Sequence, residues 1–143
     1  MLETMKTMVR SGRSCVLATC SNDRPHCSLM AYVSDEEGRT LYMVTPRRSK
    51  KYRNVEGNPF VSLLIDTREQ ETSGDRVRAL TVTGTCSVVT DDAVRKAARQ
   101  MLLAAHSRLQ TFWEGTEPAI LCVSVTSFLL LDGVSQAHYA EFD

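Results

Sequence analysis

Apolar and polar residues alternate along most of this chain, and turn residues interrupt the alternation. Cys15 to Thr19, His26 to Ser34, Arg39 to Thr45, Phe60 to about Thr67, Val77 to Val89 and Ala119 to Leu131 each read as a strand. Asn22-Asp23-Arg24-Pro25, Asp35-Glu36-Glu37-Gly38 and Asp132-Gly133 supply turn chemistry between them, and Arg68 to Asp75 reads as a charged loop. Gly84, inside the fifth strand, marks a bend or bulge where a barrel turns a corner. Two segments leave the twofold period. Leu2, Met5, Met8 and Val9 recur at helical spacing, with closure near Gly12. After Thr90, read as a cap, a longer helix begins with Asp91 and Asp92 in its electropositive first turn. Ala93, Val94, Ala97, Ala98, Met101, Leu102 and Ala105 form its expected buried stripe, and Arg95, Lys96 and Arg99 lie away from it. The helix should end between His106 and Gln110.

Six strands with short turns and one long helix predict a mainly antiparallel barrel with peripheral helices. A chain of 143 residues is one domain, residues 1–143, able to bury roughly two-thirds of its unfolded surface. Lysine plus arginine equals aspartate plus glutamate at 17 each, so no domain-wide basic field exists for nucleic acid. The longest apolar-rich run, Ala119 to Leu131, is interrupted by Ser124, Thr126 and Ser127 and is too short to span a bilayer. Glu3, Lys6 and Arg10 break up any leader-like apolar core near the start. No membrane association is expected. The cysteines Cys15, Cys20, Cys27, Cys86 and Cys122 lie in strand-like segments without Cys-x-x-Cys or zinc-type spacing, which points to reduced thiols in a cytoplasmic protein and to no metal site. His26, His106 and His138 are widely spaced, and no nucleophile–base arrangement is visible.

The stretch from Thr45 to Pro59 changes the picture. Arg47, Arg48, Lys50, Lys51 and Arg53 crowd together, Ser49 is a natural N-cap, Gly57 is placed to end a short helix and Pro59 forbids continuation. A helix N-terminus is already electropositive, so cations in its first turn oppose the dipole. A bound anion, above all a phosphate, would relieve both conflicts. Basic runs are also common on solvated surfaces. Here, however, a strand precedes the run and another follows it.

These elements carry a family resemblance. Val44-Thr45, then Ser49-Lys50-Lys51, then Asn58-Pro59-Phe60-Val61-Ser62-Leu63 follow in order. Asp23-Arg24-Pro25-His26 precedes them and Val82-Thr83-Gly84-Thr85-Cys86 follows. Over roughly residues 10 to 90 the chain resembles the FMN-binding split barrel, the family of pyridoxamine 5′-phosphate oxidase. The resemblance implies a six-stranded antiparallel split β-barrel of Greek-key type, with FMN held at a homodimer interface. It implies Lys51 and Lys50 as contacts to the 5′-phosphate, Ser49 and Thr45 as hydroxyl donors, and Val44 with Thr45 as lining at the end of the third strand. Ser28, Leu29, Met30 and Ala31 fall where the second strand passes the isoalloxazine ring, with backbone groups serving N3, O2 and O4. Trp113 matches aromatics that relatives place near the partner's flavin. Arg47 and Arg48 match no assured family role; one could cover the phosphate and the other be only solvated.

Two departures limit the analogy. Ala79 stands where the pyridoxamine oxidases carry a glutamine, and the segment from Val134 to Asp143 lacks their arginines. True pyridoxamine 5′-phosphate oxidase activity is therefore not expected. The resemblance implies an FMN-dependent oxidoreductase whose electron donor or acceptor could be a nicotinamide cofactor, a small oxidised compound or a redox protein. A deazaflavin-dependent reductase, and a non-enzymatic flavin-binding or dimeric interaction module, remain the alternatives.

Overall fold

The computed structural model describes residues 1–71 and 76–143. Part of the loop expected from Arg68 to Asp75 lies outside them. The order of elements is α1 (Leu2–Ser11), β1 (Ser14–Ser21), β2 (Arg24–Ala31), β3 (Val33–Ser34), β4 (Thr40–Thr45), α2 (Lys50–Gly57), β5 (Phe60–Asp66), β6 (Arg78–Val88), α3 (Asp92–Ala105), a 3-10 helix (Ser107–Trp113), β7 (Ala119–Asp132) and β8 (Gln136–Glu141). Among the described residues the strands form one curled antiparallel sheet in the order β2-β1-β5-β6-β7-β4-β3. β7 is long enough to pair along one edge with β4 through Ala119–Ser124 and then with β8 through Ser127–Asp132. β2, at one end of this order, and β4, next to the other end, approach within 8 Å but share no ladder, which leaves the barrel split there.

Sequence and structure differ at three places. The expected second strand breaks after Ala31 into β2 and β3, because Tyr32 turns inward and its hydroxyl donates to the Val9 carbonyl at 2.6 Å. β8 adds a strand where none was expected, so the sheet exceeds the expected six strands. In α3 the cap is Asp91, not Thr90: the Asp91 carboxylate accepts from the Val94 amide at 3.0 Å. Only Ala98 and Leu102 of its expected stripe are buried, whereas Ala93, Val94, Ala97 and Met101 are exposed. The reason is geometric: α3 meets the sheet along one line at i, i+4 spacing, so the flanks of a wider stripe have nothing to cover them. Arg95 is half-buried beside Asp92, with which it pairs.

Alternation fills the barrel. Val61, Leu63 and Ile65 of β5 and Leu80, Val82 and Cys86 of β6 face inward, joined by Leu121, Val123 and Val125 of β7. A bulge then interrupts the β6–β7 ladder: Thr83 pairs Ser127 but Gly84 pairs Val125, leaving Thr126 as the extra residue. Beyond it the phase of β7 changes, and Phe128 and Leu130 become fully buried. Gly84 sits at this site as expected. A β-carbon there would lie 2.4 Å from the Ser124 carbonyl oxygen, so the close backbone approach excludes any side chain. α1 packs Met5, Met8 and Val9 into the main core. α2 lies against β1 and β6, with Val55 buried and the buried Asn54 donating to the Thr19 hydroxyl at 3.1 Å.

Candidate functional site

The basic turn runs from the end of β4 into α2, and its local geometry follows from three hydrogen bonds. The Ser49 amide donates to the Pro46 carbonyl at 3.1 Å, closing a turn. The Ser49 hydroxyl oxygen accepts from the Tyr52 amide at 3.2 Å, the N-cap bond expected of a serine in this position. Ser49 Oγ and Thr45 Oγ1 lie 2.8 Å apart. Thr45 is almost wholly buried (1% exposed), whereas Ser49 is half-buried. If Thr45 donates in that pair, Ser49 accepts twice and keeps its own proton for an outside acceptor. Thr45 thus acts through Ser49 and has no open path to a ligand of its own.

The cations around this cap have no acidic partners. Arg47, Arg48, Lys50, Lys51 and Arg53 form no ion pair among the described residues. Arg53 donates to the Arg48 carbonyl at 2.7 Å and Arg47 to the Glu117 carbonyl at 3.3 Å, so two guanidiniums fix the backbone of the turn while their charge stays uncompensated. The first turn of α2 contains no acidic residue. The dipole conflict read from the sequence therefore exists in the fold, because like charges and the helix N-terminus share one end.

The candidate residues divide among neighbouring cavities. Lys50 lines a space of about 440 Å³ together with Ser21, Asn22, Arg24 and Asn54. Asn22 and Asp23 both adopt left-handed conformations (φ 51° and 62°) in the two-residue hairpin between β1 and β2, which presents Arg24 at its far end. In the sequence Arg24 is only part of a turn; the β1–β2 hairpin and the packing of α2 against β1 bring it to the same space as Lys50. Lys51 is half-buried one residue further along. Arg47 and Arg48 line a separate space of about 540 Å³.

On β2 the side chains sort by parity. Met30 points into the core and Ser28 is half-buried, with its hydroxyl 3.3 Å from His26 Nε2. Leu29 is 77% exposed on the outer face. Met30 can therefore offer a ligand only its backbone, whereas Leu29 can offer its side chain. β2 ends the strand order, so the main-chain groups on its outer edge are not used by a ladder. Ala31 is half-buried at the end of the strand. Val44 is buried in a second apolar cluster with Val89, Ala98, Leu102 and Ile120, against which the half-buried Trp113 packs. The Arg99 guanidinium lies 5.2 Å from the Trp113 ring, and the buried indole nitrogen has no hydrogen-bond partner among the described residues. The structure thus places Trp113 with Val44 but not with Lys50 or Leu29.

No group of three or more His, Cys, Asp or Glu side chains suited to a metal occurs among the described residues. All five cysteines are free. Among the described residues no helix is long and apolar enough to cross a membrane.

Residues 1–119 match the family described as pyridoxamine 5′-phosphate oxidase. A Schizosaccharomyces pombe protein named as a pyridoxamine 5′-phosphate oxidase homolog is 37% identical over 82 residues, covering 50% of this chain and 43% of that protein. The match thus spans less than half of the curated relative. Among solved structures, a heme-binding protein from Mycobacterium smegmatis superposes with a TM-score of 0.86 at 18% identity, over 98% of this chain and 57% of that one. A FAD-binding protein from Mesorhizobium loti gives 0.73 at 19% identity, over 91% and 93%. At such identities the structural likeness speaks for the fold alone.

Proposed function

The chain belongs to the pyridoxamine 5′-phosphate oxidase family, and from that premise we propose that it is a cytoplasmic flavin-binding protein, a homodimer that takes FMN and serves as a flavin-dependent oxidoreductase. The observation that carries this reading is the uncompensated cation cluster around the Ser49 cap. A dianionic phosphate ester is the ligand class that satisfies it: Lys50 and Lys51 supply charge, Ser49 supplies a hydroxyl, and the free amides of the first turn supply further donors. The open edge of β2, at Ser28 to Ala31, offers amides and carbonyls to a planar heterocycle, and Leu29 offers an apolar surface. Bound flavin would supply the hydride and electron transfer that the side chains lack. The protein's part is to anchor the phosphate, orient the ring against β2 and exclude water with apolar neighbours. A fold neighbour named as FAD-binding is compatible with a flavin site. The five free thiols suit a reducing compartment.

The dimer has its own support. Five registers join Leu29 to Val16, Val16 to Leu64, Leu64 to Thr81, Thr81 to Leu129 and Leu129 to Tyr139. Residues paired across a ladder share one face, so the outer surface carries a continuous, largely apolar row across six strands. Leu29, Leu64, Leu129 and Tyr139 within it are exposed. A second copy of the chain, meeting this face by twofold symmetry, would cover it.

Purification tests the cofactor: the protein should be yellow or should bind added FMN with quenching of flavin fluorescence. Lys51→Ala should weaken FMN by about tenfold or more, the scale of one charge-assisted hydrogen bond. Equal affinity in the variant would refute the phosphate role.

A further inference from the structure

The space of about 440 Å³ beside Lys50 is lined by Ser21, Asn22, Arg24, Lys50 and Asn54, so every lining residue is polar and none is acidic. The space at Arg47 and Arg48 differs, because Phe112, Glu114 and Glu117 share its wall and make it mixed in charge and partly apolar. Arg24 and Lys50 form no ion pair among the described residues. Asp23, next to Arg24 in the chain, does not line the space and forms no ion pair there either. Two like charges thus face one cavity, with hydroxyl and amide groups around them and no counter-charge. An oxyanion is the complement of that lining.

The fold fixes this arrangement from two sides. On α2, Lys50 and Asn54 stand at i, i+4 spacing and share one face. Asn54 is buried and donates to the Thr19 hydroxyl at 3.1 Å, which pins that face to β1. Ser21 lies two residues beyond Thr19, on the same side of the strand, and pairs with Arg24. One turn of helix rises about 5.4 Å and two strand residues about 6.6 Å, so Lys50 comes level with the Ser21–Arg24 pair. The left-handed Asn22 and Asp23 close the hairpin in two residues and leave Arg24 as the first residue of β2.

β2 leads from this cavity to the edge proposed for the ring. Arg24 and Ser28 share one side of the strand, four residues or about 13 Å apart. An extended arginine side chain and the ribityl chain of a flavin together cover such a span. A phosphate at the start of α2 is therefore within reach of Arg24 while the ring lies along Ser28 to Ala31. We infer that Arg24 is a phosphate-binding residue, a third cation that the hairpin supplies beside Lys50 and Lys51, and that it makes the site select phosphorylated flavin over riboflavin. The inference rests on the flavin reading above and adds a second segment of the chain to its phosphate end.

Titration of wild-type protein and of Arg24→Gln with FMN and with riboflavin, followed by flavin fluorescence, tests it. Arg24→Gln should weaken FMN by about tenfold, the scale of one charge-assisted hydrogen bond, and change riboflavin by less than threefold. Arg24→Lys should recover part of the loss. Arg108→Gln removes an exposed arginine of the 3-10 helix that borders neither space, and it should leave FMN unchanged, which separates a direct contact from the overall field. Circular dichroism confirms that the variants are folded. FMN affinity that is unchanged in Arg24→Gln, lowered as much in Arg108→Gln, or lost in step with riboflavin overturns the role of Arg24 and leaves the flavin reading standing. Failure of the wild-type protein to bind FMN overturns both.

Discussion

Burial pushes the Cys15 thiol up to about 12 and the Cys86 thiol up to about 12, in the latter with a smaller contribution from Cys122. Tyr32 is raised as well, by burial first and by Cys15 second. Each group is an acid that stays neutral in the fold while ionising at its ordinary value in the unfolded chain. Their stabilisation is complete below the ordinary thiol value and is lost as pH rises toward the folded value. Urea midpoints should therefore hold steady to about pH 8 and fall between about pH 9 and about pH 12. Cys15→Ala/Cys86→Ala should flatten that fall; an unchanged slope would show that these thiols do not govern it. At this scale much of the candidate site is legible in the sequence, because Ser49, Lys50 and Lys51 are adjacent and their chemistry needs no fold to state. Arg24 and Phe112 are not legible. Neither belongs to a local pattern with the basic turn, and only β1–β2 pairing and the 3-10 helix bring them to its flanks.

Among the elements, the β6–β7 pair carries the most constraint. Gly84 faces the Ser124 carbonyl oxygen at a distance no β-carbon tolerates, and the obstacle is backbone, which cannot swing aside. Gly84→Ala should destabilise the fold by about 3 kcal/mol, the upper part of the range for an overpacked interior site. Equilibrium urea unfolding measures it, and a loss under about 1 kcal/mol would mean that the ladder relaxes around the methyl. The glycine was readable in advance because an isolated glycine in a strand pattern signals such an approach. β8 was not, for a physical reason: Tyr139 faces outward while His138 and Ala140 face inward, so its apolar content does not mark the buried side. The same limit applies to α3, where an alanine-rich stripe wider than the contact line looks like core in one dimension and is surface in three.

The whole molecule presents a wet and a dry aspect. Arg47, Arg48, Lys50, Lys51 and Arg53 crowd around the start of α2, while the outer face of the sheet carries the Leu29-to-Tyr139 row. Leu129 lies within that row and is 37% exposed. Leu129→Glu should leave the fold intact and convert a dimer into a monomer, because a charge buried in an apolar interface lacks a partner. Native mass spectrometry at micromolar concentration reads the outcome. A wild-type monomer would remove the dimer, and a Leu129→Glu dimer would move the interface elsewhere. The barrel itself was legible from six alternating segments and the family pattern. The row was not, because lining up six strands needs registers that periodicity does not fix.

Thr126 determines which residues make up that row. It is the one amino acid that β7 has in excess of β6, so it switches odd for even in the count of everything downstream. Were the strand one residue shorter there, Ser127 would follow Val125 directly, the ladder would run without its bulge, and Phe128 and Leu130 would keep their inward places. Deleting it would thus leave the far half's hidden and displayed sides as they are, whereas pairing the full-length strand without the bulge would exchange them.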